Sequence, residues 1–194
     1  MVALSGKKIL NIWVTCLITS LLLFSITSVS EARWGVNAAT GWGASEILPY
    51  RVATMWSFRP INSITASNWR VFPIWETSVG YWDGEVHESK GGNDSLFAFT
   101  TGPMFRWQHE PKSIKKPSCY LEIGIAASLL SDTEISGRRL STHFQFEDKA
   151  GVGLRFGEQQ QYDMGIRVIH YSNGSIKRPN NGVNMVLLSV GYWL

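Results

Sequence analysis

The sequence predicts an all-β protein: an eight-stranded antiparallel transmembrane β-barrel, preceded by a secretory leader. Three observations lead there. Apolar and polar residues alternate with a period of two over long segments, and those segments number eight. Beyond residue 32, no stretch approaches the roughly 18 apolar residues of a spanning helix.

The leader comes first. Lys7 and Lys8 form a positive n-region, and Ile9 to Val29 is mostly apolar and uncharged. Ser30-Glu31-Ala32 then sets small residues at the two positions a signal peptidase reads. The expectation is a signal peptide over residues 1–32 and one barrel domain over 33–194. The alternative is a retained anchor helix, since the apolar run is long enough to span, but the small-residue site that follows at once favours cleavage.

The strand candidates, in chain order, are about 33–40, 49–59, 67–82, 94–109, 118–130, 142–157, 160–172 and 183–194. The pattern is clearest in two of them. Phe144, Phe146, Ala150, Val152, Leu154 and Phe156 share one parity, against Gln145, Glu147, Lys149, Gly151, Gly153 and Arg155. Tyr162, Met164, Ile166 and Val168 likewise oppose Asp163, Gly165 and Arg167. Several candidates exceed the roughly five or six residues of a usual soluble strand and reach the nine to eleven of a tilted membrane crossing. Eight is also the smallest even strand number of bacterial outer-membrane barrels. With the N-terminus in the periplasm, connections 83–93, 131–141 and 173–182 face outward, and 60–66, 111–117 and 158–159 face the periplasm. Pro73 and Pro103 fall inside proposed strands, where a closed barrel offers no free edge, so bulges or bends are expected there.

Composition narrows the function. The 18 basic and 15 acidic residues leave a net charge of +2 once Lys7, Lys8 and Glu31 are removed, too mild to argue for nucleic acid. Cys119 is the only cysteine outside the leader, so no intrachain disulfide forms there. Nine tryptophans, Trp13 among them in the leader, fit a chain with membrane interfaces to occupy. His87, His109 and His143 are far apart and show no metal-ligand spacing, so no metal is expected. They read as loop or interface histidines. Lys112, Lys115 and Lys116 read as a solvated turn, while Arg138 and Arg139 fall in an outward loop within reach of lipid phosphates.

The chemistry concentrates in Arg167-Val-Ile-His170-Tyr-Ser172-Asn173-Gly174. Residues i and i+2 of a strand point the same way, so His170 and Ser172 share a face at a strand end. That face continues Met164, Ile166 and Val168 and looks at lipid. A histidine beside a serine is a general base beside a nucleophile. The spacing alone equally fits two polar residues at the water interface.

The longer run His170-Tyr-Ser172-Asn173-Gly174-Ser175-Ile-Lys-Arg-Pro179-Asn180-Asn181-Gly182 resembles the signature of the lipid A 3-O-deacylase family. The close match covers about fifteen residues; elsewhere the agreement is in architecture. The resemblance implies an outer-membrane β-barrel hydrolase, a carboxylic ester hydrolase that removes the 3-O-linked hydroxyacyl chain of lipid A (lipopolysaccharide) without a metal or other cofactor. It implies Ser172 as nucleophile, His170 as base, and Asn173, Gly174 and Asn180 as oxyanion or supporting residues. It leaves room for a homodimer and gives no role to nucleic acid. Turn chemistry is the plainer account of the asparagines. Where the family pattern carries an acid, this chain has Asn184, which can orient an imidazole but cannot stabilise imidazolium by charge. Register supplies a candidate acid. If the turn at 158–160 pairs Phe156 with Tyr162, Asp148 lies directly across from His170. Asp148 is also the one charged residue on the apolar face of its strand. Two rival classes stay open: a non-catalytic small outer-membrane barrel, adhesin or structural, and a soluble lipocalin-like barrel with its apolar face inside.

Overall fold

The computed structural model describes residues 33–61, 68–85, 94–111, 113 and 115–194, together with residue 15. The expected leader (residue 15 apart), His87 and Lys112 lie outside the described residues. Eight long strands form the wall: β1 (Arg33–Gly43), β2 (Leu48–Ser57), β3 (Trp69–Asp83), β4 (Ser95–His109), β5 (Ser118–Leu130), β8 (Phe144–Phe156), β9 (Tyr162–Ser172) and β10 (Val183–Trp193). Each pairs antiparallel with its neighbours, and β1 pairs with β10 to close the barrel. Two further strands of two residues each, β6 (Glu134–Ile135) and β7 (Arg138–Arg139), form a small hairpin between β5 and β8.

The barrel is inside-out relative to a soluble protein. Tyr162, Met164, Ile166 and Val168 of β9 are exposed, as are Val186, Leu188 and Val190 of β10 and Val152 and Leu154 of β8. Charged residues fill the interior. Asp163 pairs with Arg106 at 2.6 Å, and Arg106 with Glu122 at 2.7 Å. Arg167 bridges Glu122 at 2.6 Å and Glu76 at 2.8 Å. Glu76 also takes Lys149 and Arg51, and Arg51 reaches Glu147 at 2.6 Å. Four carboxylates and four cations thus alternate in one connected, charge-balanced network. Buried ions are tolerated only when paired in this way. The inward Arg167 meets carboxylates, as its parity predicts, and the apolar outer face rules out the lipocalin-like arrangement.

Aromatic side chains ring both ends of the apolar wall, as amphipathic rings do at a membrane interface. Tyr50, Tyr81 and Phe97 adjoin at one end. Trp34 packs on Trp56, and Phe156, Tyr162 and Tyr192 adjoin, at the other.

The prolines need no bulge, which corrects the expectation. Pro73 pairs with Phe105 in an unbroken β3–β4 ladder. Its carbonyl accepts the Phe58 N–H at 2.9 Å, just past the end of β2. In an antiparallel strand the N–H and C=O of one residue address the same neighbour, so the donor that Pro73 lacks falls where β2 has ended. Pro103 sits where the β4–β5 ladder pauses between Thr101↔Ala127 and Met104↔Gly124, with the same register on both sides.

One end of the barrel is closed by an apolar cluster that includes Ile47, Trp82, Leu130, Ile135, Leu140, Val183 and Met185. Ile135 belongs to β6 and Leu140 directly follows β7, so the small hairpin is folded over this end. His170, Ser172 and Asn184 lie at the same end.

Candidate active site

His170 and Ser172 occupy the last turn of the pleat in β9, on the outward parity. Their strand partners flank them. Asn184 of β10 and Asp148 of β8 both pair directly with His170, and Phe146 pairs with Ser172. The Asp148↔His170 pairing belongs to the same ladder as Phe156↔Tyr162, the register expected from a short turn. Asp148, His170 and Asn184 therefore form one row across three strands on the outside of the barrel, where directly opposed Cβ atoms lie about 4.5–5.5 Å apart.

Within that row the imidazole bonds to one side. His170 Nδ1–H donates to Asn184 Oδ1 at 2.6 Å. The neutral ring then carries its lone pair on Nε2, the tautomer a general base requires. The structure thus gives the orienting hydrogen bond to Asn184 rather than to Asp148. His170 is half-buried, whereas Ser172 is only 7% exposed. Ser172 and Phe146 are buried on the outward parity, unlike Ile166 and Val168 farther down the same wall.

The loop after β9 owes its shape to Asn173. Asn173 is fully buried, and its Nδ2 donates to the carbonyls of Leu140 at 2.8 Å and Lys177 at 2.9 Å. Its backbone N–H donates to Asn180 Oδ1 at 3.2 Å. Gly174 and Ser175 follow with φ of 60° and 66°, a left-handed pair that reverses the chain beside Ser172. The turn role of the asparagines is therefore real. It also engages the Asn173 backbone N–H, which donates to Asn180. Asn180 thereby sits against the residue following Ser172.

Gly182, which sequence reasoning did not single out, abuts His170. It has φ of +57°, and a Cβ added there would stand 3.0 Å from His170 Cε1 and 3.0 Å from the Tyr171 carbonyl oxygen. Only glycine fits both the backbone conformation and the space.

The basic residues take other parts. Arg138 donates to the carbonyls of Gly182 at 2.8 Å and Asn181 at 2.7 Å, and to Ser45 Oγ at 3.2 Å. It is thus engaged within the protein, while exposed Arg139 pairs with Glu134 at 2.5 Å. Lys115 and Lys116 are exposed, as a solvated turn would be. His109 packs edge-on against Trp69, and His143 Nδ1 bonds the Leu130 carbonyl at 2.9 Å. Among the described residues, no three His, Cys, Asp or Glu side chains converge as metal ligands.

Residues 47–193 match the family described as "Lipid A 3-O-deacylase (PagL)". The chain is 31% identical to "Lipid A deacylase PagL" of Pseudomonas aeruginosa over 161 residues, covering 83% of this chain and 87% of the relative. It is 28% identical to "Lipid A deacylase PagL" of Bordetella bronchiseptica over 180 residues, covering 91% and 92% respectively. Among solved structures, "Crystal structure of the outer membrane enzyme PagL" superimposes with a TM-score of 0.71 at 26% identity, over 81% of this chain and 98% of that one. Neisserial surface protein A shares the fold with a TM-score of 0.55 at 14% identity, over 87% of this chain and 97% of that one. With the motif, the closed eight-stranded barrel and these matches all in agreement, the chain belongs to the lipid A 3-O-deacylase family.

Proposed function

We propose that this protein is an outer-membrane hydrolase that removes the 3-O-linked hydroxyacyl chain of lipid A through a serine–histidine mechanism. The observation that carries the reading is the row His170–Asn184 beside Ser172 on the lipid-facing side of the barrel. A polar row at the edge of an apolar wall is costly unless it serves a purpose. Residues 1–32 would direct the chain across the inner membrane, and 33–194 would form the barrel domain.

The chemistry follows from the tautomer. Asn184 holds Nδ1–H, so Nε2 accepts the Ser172 hydroxyl proton as Oγ attacks the ester carbonyl. The resulting oxyanion takes hydrogen bonds from the Gly174–Ser175 turn and from the Asn180 amide NH₂, whose oxygen is already turned to Asn173. One such donor contributes about 10²–10³ in rate. The imidazolium returns its proton to the departing sugar oxygen, leaving an acyl-serine. Water, deprotonated by His170, then cleaves the acyl-serine, releasing a 3-hydroxy fatty acid and restoring the hydroxyl. Every bond made and broken is accounted for without a cofactor.

Mass spectrometry of lipid A from cells expressing wild type or Ser172→Ala tests the proposal. Wild type is expected to produce lipid A lighter by one hydroxyacyl chain, and Ser172→Ala to leave it intact while still folding in detergent. Unchanged lipid A in both would favour a non-catalytic barrel. Deacylation by Ser172→Ala would reject the mechanism.

A further inference from the structure

Arg138 joins three turns at the site end of the barrel. It sits on β7, its Nε donates to the Gly182 carbonyl and one Nη to the Asn181 carbonyl, and its other Nη reaches Ser45 Oγ in the β1–β2 turn. Arg139, the next residue on β7, adds its carbonyl, which accepts the Asn181 N–H at 3.3 Å. The gripped dipeptide sits between two site contacts. Two residues beyond Gly182, Asn184 accepts the His170 Nδ1–H. One residue before Asn181, Asn180 accepts the Asn173 N–H next to Ser172. Gly182 itself packs against the imidazole edge.

We infer that Arg138 is a positioning residue for the catalytic pair, acting through the Asn180–Asn184 segment. The inference rests on the serine–histidine reading above. A planar guanidinium presents several N–H donors in a rigid fork, which suits it to hold two successive carbonyls at a fixed angle. The grip sets the height of the Asn180–Asn184 segment against β9. That height in turn sets the imidazole relative to the Ser172 hydroxyl and the Asn180 amide relative to the oxyanion. A displacement of about 1 Å at a reacting pair costs about 10²-fold in rate, so the grip is a kinetic device as well as a structural one.

The test uses the full barrel in detergent micelles containing lipid A, with initial release of 3-hydroxy fatty acid measured across lipid A mole fraction. Arg138→Ala is expected to lower kcat at least tenfold with KM within about twofold, since the guanidinium donors it removes are engaged within the protein. Arg138→Lys should restore part of kcat, because an ammonium can serve one carbonyl but not the whole fork. Labelling of Ser172 by a small fluorophosphonate should slow in parallel, a readout that overall stability does not move. Arg139→Ala, which removes only the pair with Glu134, should behave as wild type. Wild-type kcat in folded Arg138→Ala, a loss carried by KM alone, or an equal loss in Arg139→Ala would overturn the inference. Should Arg138→Ala fail to fold, Arg138→Lys decides: wild-type kcat and labelling overturn the inference, and a loss in both supports it. Ser172→Ala is run alongside. If it is inactive while Arg138→Ala is normal, this inference fails alone. If it still releases fatty acid, the serine reading fails and takes this inference with it.

Discussion

Asn184 and His170 face one another across β10 and β9 and are joined by a 2.6 Å hydrogen bond from the imidazole Nδ1–H to the amide oxygen. In the proposed mechanism the asparagine would perform one of the two tasks of a catalytic acid, fixing the tautomer. It would supply no charge for the imidazolium that the proposed mechanism forms as Ser172 gives up its proton. Asn184→Glu keeps an acceptor in place and adds that charge, so kcat is expected to rise about tenfold, or about 1.4 kcal/mol. Asn184→Ala removes both and should lower kcat on the order of a hundredfold. Fatty-acid release by the two variants checks this, and an inactive Asn184→Glu would show that the site has no room for a carboxylate.

Asp148 occupies the other flank of His170, paired with it across β8 and β9. No hydrogen bond joins the two, so Asp148 would act on the imidazolium through its field. Asp148→Asn is expected to reduce kcat several-fold in the wild-type background and less in Asn184→Glu, where a second carboxylate shares the task. A double-mutant cycle measures that coupling. Full activity in Asp148→Asn would remove Asp148 from the mechanism.

Gly182 is held at a positive φ against the imidazole edge. Gly182→Ala should cost about 1–2 kcal/mol in backbone strain, too little to unfold a closed barrel, yet push the ring out of line. The expected result is a loss of kcat of tenfold or more with a barrel that still migrates as folded on unheated gels. A normal rate would mean that the ring tolerates displacement.

Glu76 is the hub of the interior network, accepting from Arg51, Lys149 and Arg167. Glu76→Ala takes one of two carboxylates from each of three buried cations, leaving Arg51 and Lys149 to share Glu147 and Arg167 with Glu122 alone. Loss of one partner from a buried ion pair costs up to about 3–5 kcal/mol. Thermal unfolding followed by gel mobility should show a large drop in midpoint for Glu76→Ala and a smaller one for Glu76→Gln. Equal midpoints would mean that water or rearrangement compensates.

Much of this is legible in the sequence. The period-two pattern identified the wall because membrane strands are long and face two different solvents. The Asp148↔His170 register was legible because a short turn fixes everything above it: once Phe156 meets Tyr162, the pleat carries the pairing upward. The Asn184–His170 contact had no such route, since ten irregular residues separate β9 from β10, and only the family resemblance pointed to position 184. The β6–β7 hairpin was missed because two-residue strands carry no periodicity. Its one local sign is Ser136-Gly137, both at positive φ in the turn. Arg138 looks free to reach lipid phosphates in the sequence because its partners in two other turns are invisible there.

The charged side chains packed inside the wall have a consequence for how this molecule meets what it acts on. Among the described residues the lumen is given over to ion pairs, so under the proposed mechanism a lipid would reach Ser172 from the side, within the plane of the bilayer. Encounter is then a matter of lateral diffusion in two dimensions. Turnover should follow the mole fraction of lipid A in its leaflet rather than its bulk concentration, and should slow when inert lipid dilutes the surface.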